Sequence, residues 1–374
     1  MKKFYIIAAV ALVASAACTK IETVETVASE PAISFQVADY VGQTKAGETS
    51  LKAEGFEQFT TYAWYTSSTT PNQPFMTPAT VTWDAGNTQW APSDRTYYWP
   101  KTGYINFFSF AGNHLPNSVA LNGTAAEAHY TTAITVATND NILVADGAYG
   151  FYNNDAAQYK LDGVTKGVPT LFRHMLSRVK FDIKVDGTGS SDSKDHWKVT
   201  VNSATLSYRN QGKLEVVFPD APTVTLGTDG KPSAGANQAL KYTTATWTPE
   251  SVANVELNKV STAVVVEANG GSASEAKELI SDSVVMPQTL ATTAVTIALN
   301  YTLEYSYNGG TPNSETVPVD ATALTTFSPS IAAWDPNTFY TYHIIIVPTE
   351  NKILFDPAVE VWAEINTPTL EINN

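Results

Sequence analysis

The chain has 374 residues and a formal charge of -14, with 43% hydrophobic and 11% aromatic residues, enough to bury a large core. So acidic a chain repels phosphate backbones, and no basic cluster reverses this locally, which excludes nucleic acid as a partner. Charged residues make up only 16%, so Thr, Ser and Asn must cover much of the surface; a single cysteine, Cys18, excludes an internal disulfide and leaves stability to packing.

Residues 1–17 read as a secretion signal: Lys2 and Lys3 precede an apolar run from Phe4 to Val13, then Ala14, Ser15, Ala16 and Ala17. The run is shorter than the roughly 20 residues a spanning helix needs. Two processing routes are open. An ordinary signal peptidase would read Ala14-Ser15-Ala16; a lipoprotein signal peptidase would read Ser15-Ala16-Ala17-Cys18 and make Cys18 a lipidated first residue. At about 0.8 kcal/mol per buried methylene, acyl chains on Cys18 would hold the protein on a membrane without a spanning helix. Residues 18–31, polar and mostly acidic, are expected to tether that anchor to the first folded element.

From Ala32 the pattern has period two, with Ile33, Phe35 and Val37 alternating with Ser34 and Gln36, which predicts a strand buried on one face. A loop over 41–55 carries Lys45 and Lys52. Strand character resumes over 59–65, and Asp84-Ala85-Gly86-Asn87 between 81–83 and 89–90 signals a hairpin. The run 104–111, YINFFSFA, has large apolar groups on both faces and predicts a strand covered on both sides. Shorter strands are expected over 133–137 and 142–145.

After a break at 166–169, the run 171–185 alternates Val179, Phe181, Ile183 and Val185 with charged residues, and a domain boundary is placed at 168/169. Asn210-Gln211-Gly212 signals a second hairpin, 219–249 is expected to be loop, and 272–279 a helical turn with a Ser-x-x-Glu start. The strongest alternation, 295–307, ends at Asn308-Gly309-Gly310 as a hairpin strand would. Strands over 339–347 and 359–365 close the chain. The expected fold class is all-β, with two β-sandwich domains, 32–168 and 169–374.

Sites for chemistry are sparse. His114, His129, His174, His196 and His343 are scattered without zinc spacing, and His174 beside Arg173 reads as a hydrogen-bonded structural histidine. There is no nucleophile elbow, dinucleotide fingerprint or phosphate loop, and 36 carboxylates offer no way to choose a glycosidase pair. No catalytic residue, metal or cofactor is expected. Trp83, Trp90, Tyr97, Tyr98 and Trp99 lie close together in sequence: four of them, Trp83, Trp90, Tyr97 and Trp99, are candidates for stacking on sugar rings, and filling the core of the first domain is the alternative.

With these pieces placed, the chain resembles the Bacteroidales fimbrillin family of the type V pilin superfamily. The resemblance is carried by the start at Cys18 and by the runs at 97–111, 171–181 (LFRHMLSRVKF), 286–290 (MPQTL), 334–342 (WDPNTFYTY) and 355–362 (FDPAVEVW). It implies two transthyretin-like sandwiches, an outer-membrane lipoprotein at the cell surface, and assembly with other fimbrial subunits by strand exchange. The removable strand would be 32–41, the cut would fall in 41–55, and the donor would be 359–372. Stalk subunits of the family are generally cut after Arg; no Arg precedes Arg95 here, so Lys45 or Lys52 would serve. The alternative function is a surface lipoprotein that binds host or bacterial glycans or proteins through the Trp83–Trp99 cluster.

Overall fold

The computed structural model describes residues 31–37, 51, 55–116, 118–122, 127–135, 140–152, 167–219, 223–233, 239–241, 243–250, 255–259, 263–290, 295–324, 330–348 and 352–361. Every named element is a strand. In chain order they are β1 (Phe35–Val37), β2 (Gln58–Thr66), β3 (Gln73–Asp84), β4 (Gln89–Pro92), β5 (Tyr104–Gly112), β6 (Ala120–Asn122), β7 (Glu127–Thr135), β8 (Ile142–Ala145) and β9 (Gly147–Phe151). Next come β10 (Val168–Thr170), β11 (Phe172–His174), β12 (Ser177–Val185), β13 (His196–Tyr208), β14 (Gln211–Val217), β15 (Ala239–Lys241), β16 (Thr244–Pro249) and β17 (Val255–Lys259). The remainder are β18 (Val264–Asn269), β19 (Lys277–Val285), β20 (Gln288–Thr289), β21 (Thr296–Ser306), β22 (Asn313–Ala323), β23 (Ala333–Trp334), β24 (Thr338–Val347) and β25 (Lys352–Val361).

A ten-stranded sheet runs β10-β1-β4-β3-β2-β5-β8-β11, with β9 on β5 and β15 on β9. Its strands enclose one core, which includes Phe35, Phe59, Trp90, Phe107, Phe151 and Phe172. β5 is two-faced, as its sequence predicts. Ile105, Phe107 and Ala111 point into that core, while Phe108 and Phe110 enter a second cluster with Leu214, Val216, Phe218 and Met286. The cover on this second side is the sheet β16-β14-β7-β6. In β14 the alternation is plain: Leu214 and Val216 are buried while Lys213 and Glu215 face water, and Phe218 meets Phe108 at 4.6 Å between ring centroids.

The rest of the chain forms a sandwich of β19-β12-β24-β25 against β17-β13-β21-β22, with β18 also on β13. β12 buries Val179, Phe181, Ile183 and Val185 against Trp197, Val199, Val201 and Leu206. Tyr342, on β24 parallel to β12, stacks on Phe181 at 4.8 Å and 14°. Strands beyond residue 168 also complete the first sheets: β10 pairs with β1, β11 with β8, β14 with β7 over seven register positions and β15 with β9.

Three of the sequence runs that carry the family resemblance, 171–181, 286–290 and 334–342, meet where these parts join. In 334–342, Asn337 takes φ 58°; its amide N–H donates to Leu176 O at 3.0 Å and its Oδ1 accepts from His174 N at 3.3 Å. Ser177 Oγ donates to Asp335 O at 2.7 Å, and Trp334 Nε1 donates to Tyr342 OH at 3.0 Å. In 286–290, Gln288 Nε2 donates to Arg209 O at 2.9 Å while its Oε1 accepts from Arg209 N at 3.3 Å, fixing the turn between β13 and β14. Trp247 Nε1 on β16 donates to Met175 O at 2.7 Å.

Both Asx-Gly hairpins form: β3 with β4, and β21 with β22 through Asn308 (φ 51°) and Gly309 (φ 71°). The hairpin expected at 210–212 does not. β13 and β14 enter different sheets, because Gln211 pairs with Thr135 rather than turning back on β13. The helical turn expected over 272–279 is replaced by an approach to β19: the would-be cap Ser272 donates through its Oγ to Asn269 O at 2.8 Å, while Ser274 N–H donates to Val185 O and its Oγ accepts from Val185 N, each at 2.8 Å, which ties the segment to β12. Residues 219–249 contain β15 and β16 as well as loop; the alternation of β16, with Thr244, Thr246 and Thr248 outward, is masked in sequence by the weakly apolar Ala245.

Burial alone pushes Tyr208 up to about 12, and burial first among its causes brings Tyr340 to about 12; Tyr342 is pushed higher still. These hydroxyls stay protonated in the folded state while those of the unfolded chain ionise near 10.0. The stability that Tyr208 and Tyr340 carry is thus complete below pH 10 and lost as pH rises from there to about 12. Thermal melts are expected to hold steady up to that window and fall through it. Tyr208→Phe should leave neutral stability nearly unchanged and remove part of the alkaline loss, at about 1.4 kcal/mol per pKa unit.

Candidate functional site

The part of the fold best suited to a function is the slot held by β1. This strand lies between β10, to which it is parallel, and β4, to which it is antiparallel. Ile33 N–H donates to Tyr97 O at 2.8 Å, Val168 N–H to Ser34 O at 2.8 Å and Trp99 N–H to Pro31 O at 3.2 Å, so the segment 31–37 is bonded along both edges. Ile33 and Phe35 are 1% exposed, and Val37 is also buried. Phe35 makes edge contacts with Phe59 and Phe107, each at 5.5 Å. Removing these side chains from water contributes roughly 1.5–3 kcal/mol apiece.

Two features make the seat of this strand particular. Gly167 has φ 96°, and a Cβ there would stand 2.8 Å from the Phe35 carbonyl carbon and 2.9 Å from its nitrogen, so only glycine lets β10 approach β1. The indole N–H groups of Trp90 and Trp99, both 2% exposed beside the strand, are without a hydrogen-bond partner among the described residues. Each such buried donor costs about 1–3 kcal/mol.

This arrangement also places the candidate aromatics. Trp90, Tyr97 and Trp99 are buried in the core, so the core-filling alternative is the one the structure gives them and they present no joint platform to solvent. Trp90 turns inward from β4, and Tyr97 and Trp99 do so on either side of the exposed Tyr98, which bridges to Ala32. Trp83 is only partly buried and packs against Trp90 at 5.8 Å and 67°. Tyr98 is 52% exposed. Its neighbour Tyr97 donates through its OH to Asp94 Oδ2 at 3.0 Å.

Cys18, Lys45 and Lys52 lie outside the described residues. Next to Lys52, Leu51 is buried in the β1 core and accepts from Phe56 N at 2.7 Å, so both ends of the 38–50 connection are fixed. Of the expected donor region, Val359–Val361 form the end of β25 and pair with Tyr340, Phe339 and Thr338; 362–374 lie outside the described residues. Sequence reasoning did not single out Gly167 or Arg173. Arg173 forms a two-point pair with Asp146, both bonds 2.9 Å, and Asp146 also accepts from Thr243 N. His174 Nδ1 lies 2.8 Å from Asn141 Oδ1, in the structural role expected for it. No group of three or more His, Cys, Asp or Glu that could hold a metal occurs among the described residues, and none of their helices is long and apolar enough to cross a membrane.

The sequence pattern of the fimbrillin-like family matches residues 44–362. The chain belongs to that family. As a fimbrillin-like protein it is structural rather than enzymatic and works at the cell surface. A fimbrial protein from Bacteroides vulgatus has a similar fold, with TM-score 0.51 and 15% identity over 89% of this chain and 99% of that one. The tip fimbrial protein of Porphyromonas gingivalis, truncated at its C-terminus, aligns over 89% of this chain and all of its own length, 100%, at TM-score 0.34 and 10% identity. No curated protein matches the chain.

Gly167→Ala is expected to unseat β1 without disturbing the C-terminal sandwich. In hydrogen exchange read by mass spectrometry, residues 33–37 should lose protection while β12 and β24 keep theirs. Equal protection of 33–37 in the variant and the parent would show that the close approach at Gly167 does not hold the strand.

Proposed function

We propose that this fimbrillin-like chain is a fimbrial subunit that joins its neighbours by exchanging β1 for a strand of another subunit. The observation that carries this reading is the seat of β1: a short strand bonded on both edges, filling an aromatic core, and joined to the body through the connection 38–50. Withdrawal would leave a slot flanked by β4 and β10, whose open main-chain groups can bind any extended segment with apolar side chains at alternate positions. The indoles of Trp90 and Trp99, unpaired among the described residues, lower the cost of giving up the resident strand.

In this reading the chain is exported, lipidated at Cys18 and carried to the outer membrane, where the lipid holds it until a protease cuts within 41–55, at Lys45 or Lys52. The incoming strand comes from the region 359–372 of a related subunit. The body comprises two transthyretin-like sandwiches, drawn at 32–168 and 169–374, with β11, β14, β15 and β16 of the second stretch completing the sheets of the first, and the assembled fibre supports adhesion to surface glycans or proteins. A subunit that kept β1 and its lipid would serve as the anchor.

Limited trypsin treatment of the purified full chain tests the assembly. Mass spectrometry is expected to find a new N-terminus after Lys45 or Lys52, with a ladder of multimers on an unheated gel. A clipped product that stays monomeric would refute polymerisation by this route. Phe35→Ala, which empties about 3–5 kcal/mol of core packing from β1, should speed both cleavage and multimer formation.

A further inference from the structure

We infer that the cleft at the open end of the β2–β3 ladder binds a neutral oligosaccharide. The cleft has a volume of about 850 Å³ and is lined by Gly55, Phe56, Glu57, Gln58, Thr82 and Trp83, within the size range of small-molecule sites. Its walls combine two aromatic rings with a carboxylate, a carboxamide and a hydroxyl. A pyranose needs that combination: the apolar C–H face of the ring lies on an aromatic plane, while paired hydroxyls donate to a carboxylate and exchange bonds with an amide.

The walls are rigid. Gln58 pairs with Thr82 across the β2–β3 ladder, and Trp83 pairs with Trp90 across β3–β4, where the two indoles are in contact. The adjoining turn is locked by Asp84, whose Oδ1 accepts from Gly86 N at 2.9 Å and Asn87 N at 3.2 Å, and whose Oδ2 accepts from Asn87 Nδ2 at 2.7 Å. The Asn87 side chain, with these backbone groups, holds the Asp84 carboxyl below the usual carboxylate range, so the lock is intact at neutral pH. A fixed indole spares the ligand the cost of ordering it. Gly55, at the mouth, would meet nothing within 4 Å if it carried a Cβ, so this wall is open to a chain of sugars.

Charge narrows the ligand. Glu57 stands in the cleft, no Lys or Arg lines it among the described residues, and the whole chain carries -14, so sialylated or sulfated glycans are repelled and neutral ones are not. The inference is independent of strand exchange: the cleft residues lie outside β1, and a subunit that never polymerises would still bind.

Titration of the intact protein with maltotriose, cellotriose and N,N′,N″-triacetylchitotriose, followed by calorimetry and tryptophan fluorescence, tests it, with sialyllactose as the anionic comparison. At least one neutral trisaccharide is expected to saturate at or below about 10 mM, a weak affinity in keeping with a shallow site. Trp83→Ala should weaken that binding by at least ~10-fold, and Glu57→Gln, at an exposed position that leaves the core untouched, by ~3–10-fold; sialyllactose should not bind. No saturable response to any neutral sugar would overturn the inference. So would binding that Glu57→Gln and a folded Trp83→Ala leave unchanged.

Discussion

A strand with large apolar side chains on both faces cannot lie at a surface, and the rest of this molecule follows from satisfying β5. One side of it is met by the aromatic core around Phe35 and Phe107. The other side, with Phe108 and Phe110, needs a second layer, which the first part of the chain does not complete alone: β7 and β6 supply half of it, and β14 and β16, from beyond residue 200, supply the rest. The two parts of the chain are therefore held by a continuous ladder rather than by a linker. The corners at Trp334–Thr338 and Met286–Leu290 hold the start of β12 and the turn into β14, and three of the runs that carry the family resemblance, 171–181, 286–290 and 334–342, meet there.

Against this firmly built frame, β1 stands out as the element least committed to it. It is three residues long, its approach to β10 depends on the missing Cβ of Gly167, and it covers two tryptophans whose N–H groups are unpaired among the described residues. Its apolar side chains nonetheless fill the centre of the core. In the proposed exchange it is β1, rather than β5 or β12, that gives way to another strand of the same pattern.

The all-β class and the main hairpins were legible because period-two alternation and Asp-Ala-Gly-Asn or Asn-Gly-Gly turns are local signals. The two-sided burial of β5 was legible for the same reason. Long-range pairing was not. Nothing local tells Gln211 to pair with Thr135 instead of folding back on β13, and Asn210-Gln211-Gly212 has the composition of a tight turn. Ser272 and Glu275 mimic a helix start because a serine hydroxyl serves a turn, as Ser272 does on Asn269 O, as readily as a helix terminus. The aromatic cluster was visible as composition, but which rings faced water depended on β1 closing over Trp90 and Trp99. Gly167 looked like one more loop glycine until its distance from Phe35 was known.

The shared ladder also dictates the order in which the chain can mature. β7 ends at Thr135, but its partner β14 begins only at Gln211, and β12 waits for β24 at Thr338 before its own parallel pairing can form. During synthesis, Phe108 and Phe110 must remain uncovered while the intervening chain is still emerging, a situation that invites aggregation and slow closure. Closure of such a topology waits on chain length rather than on rapid local collapse.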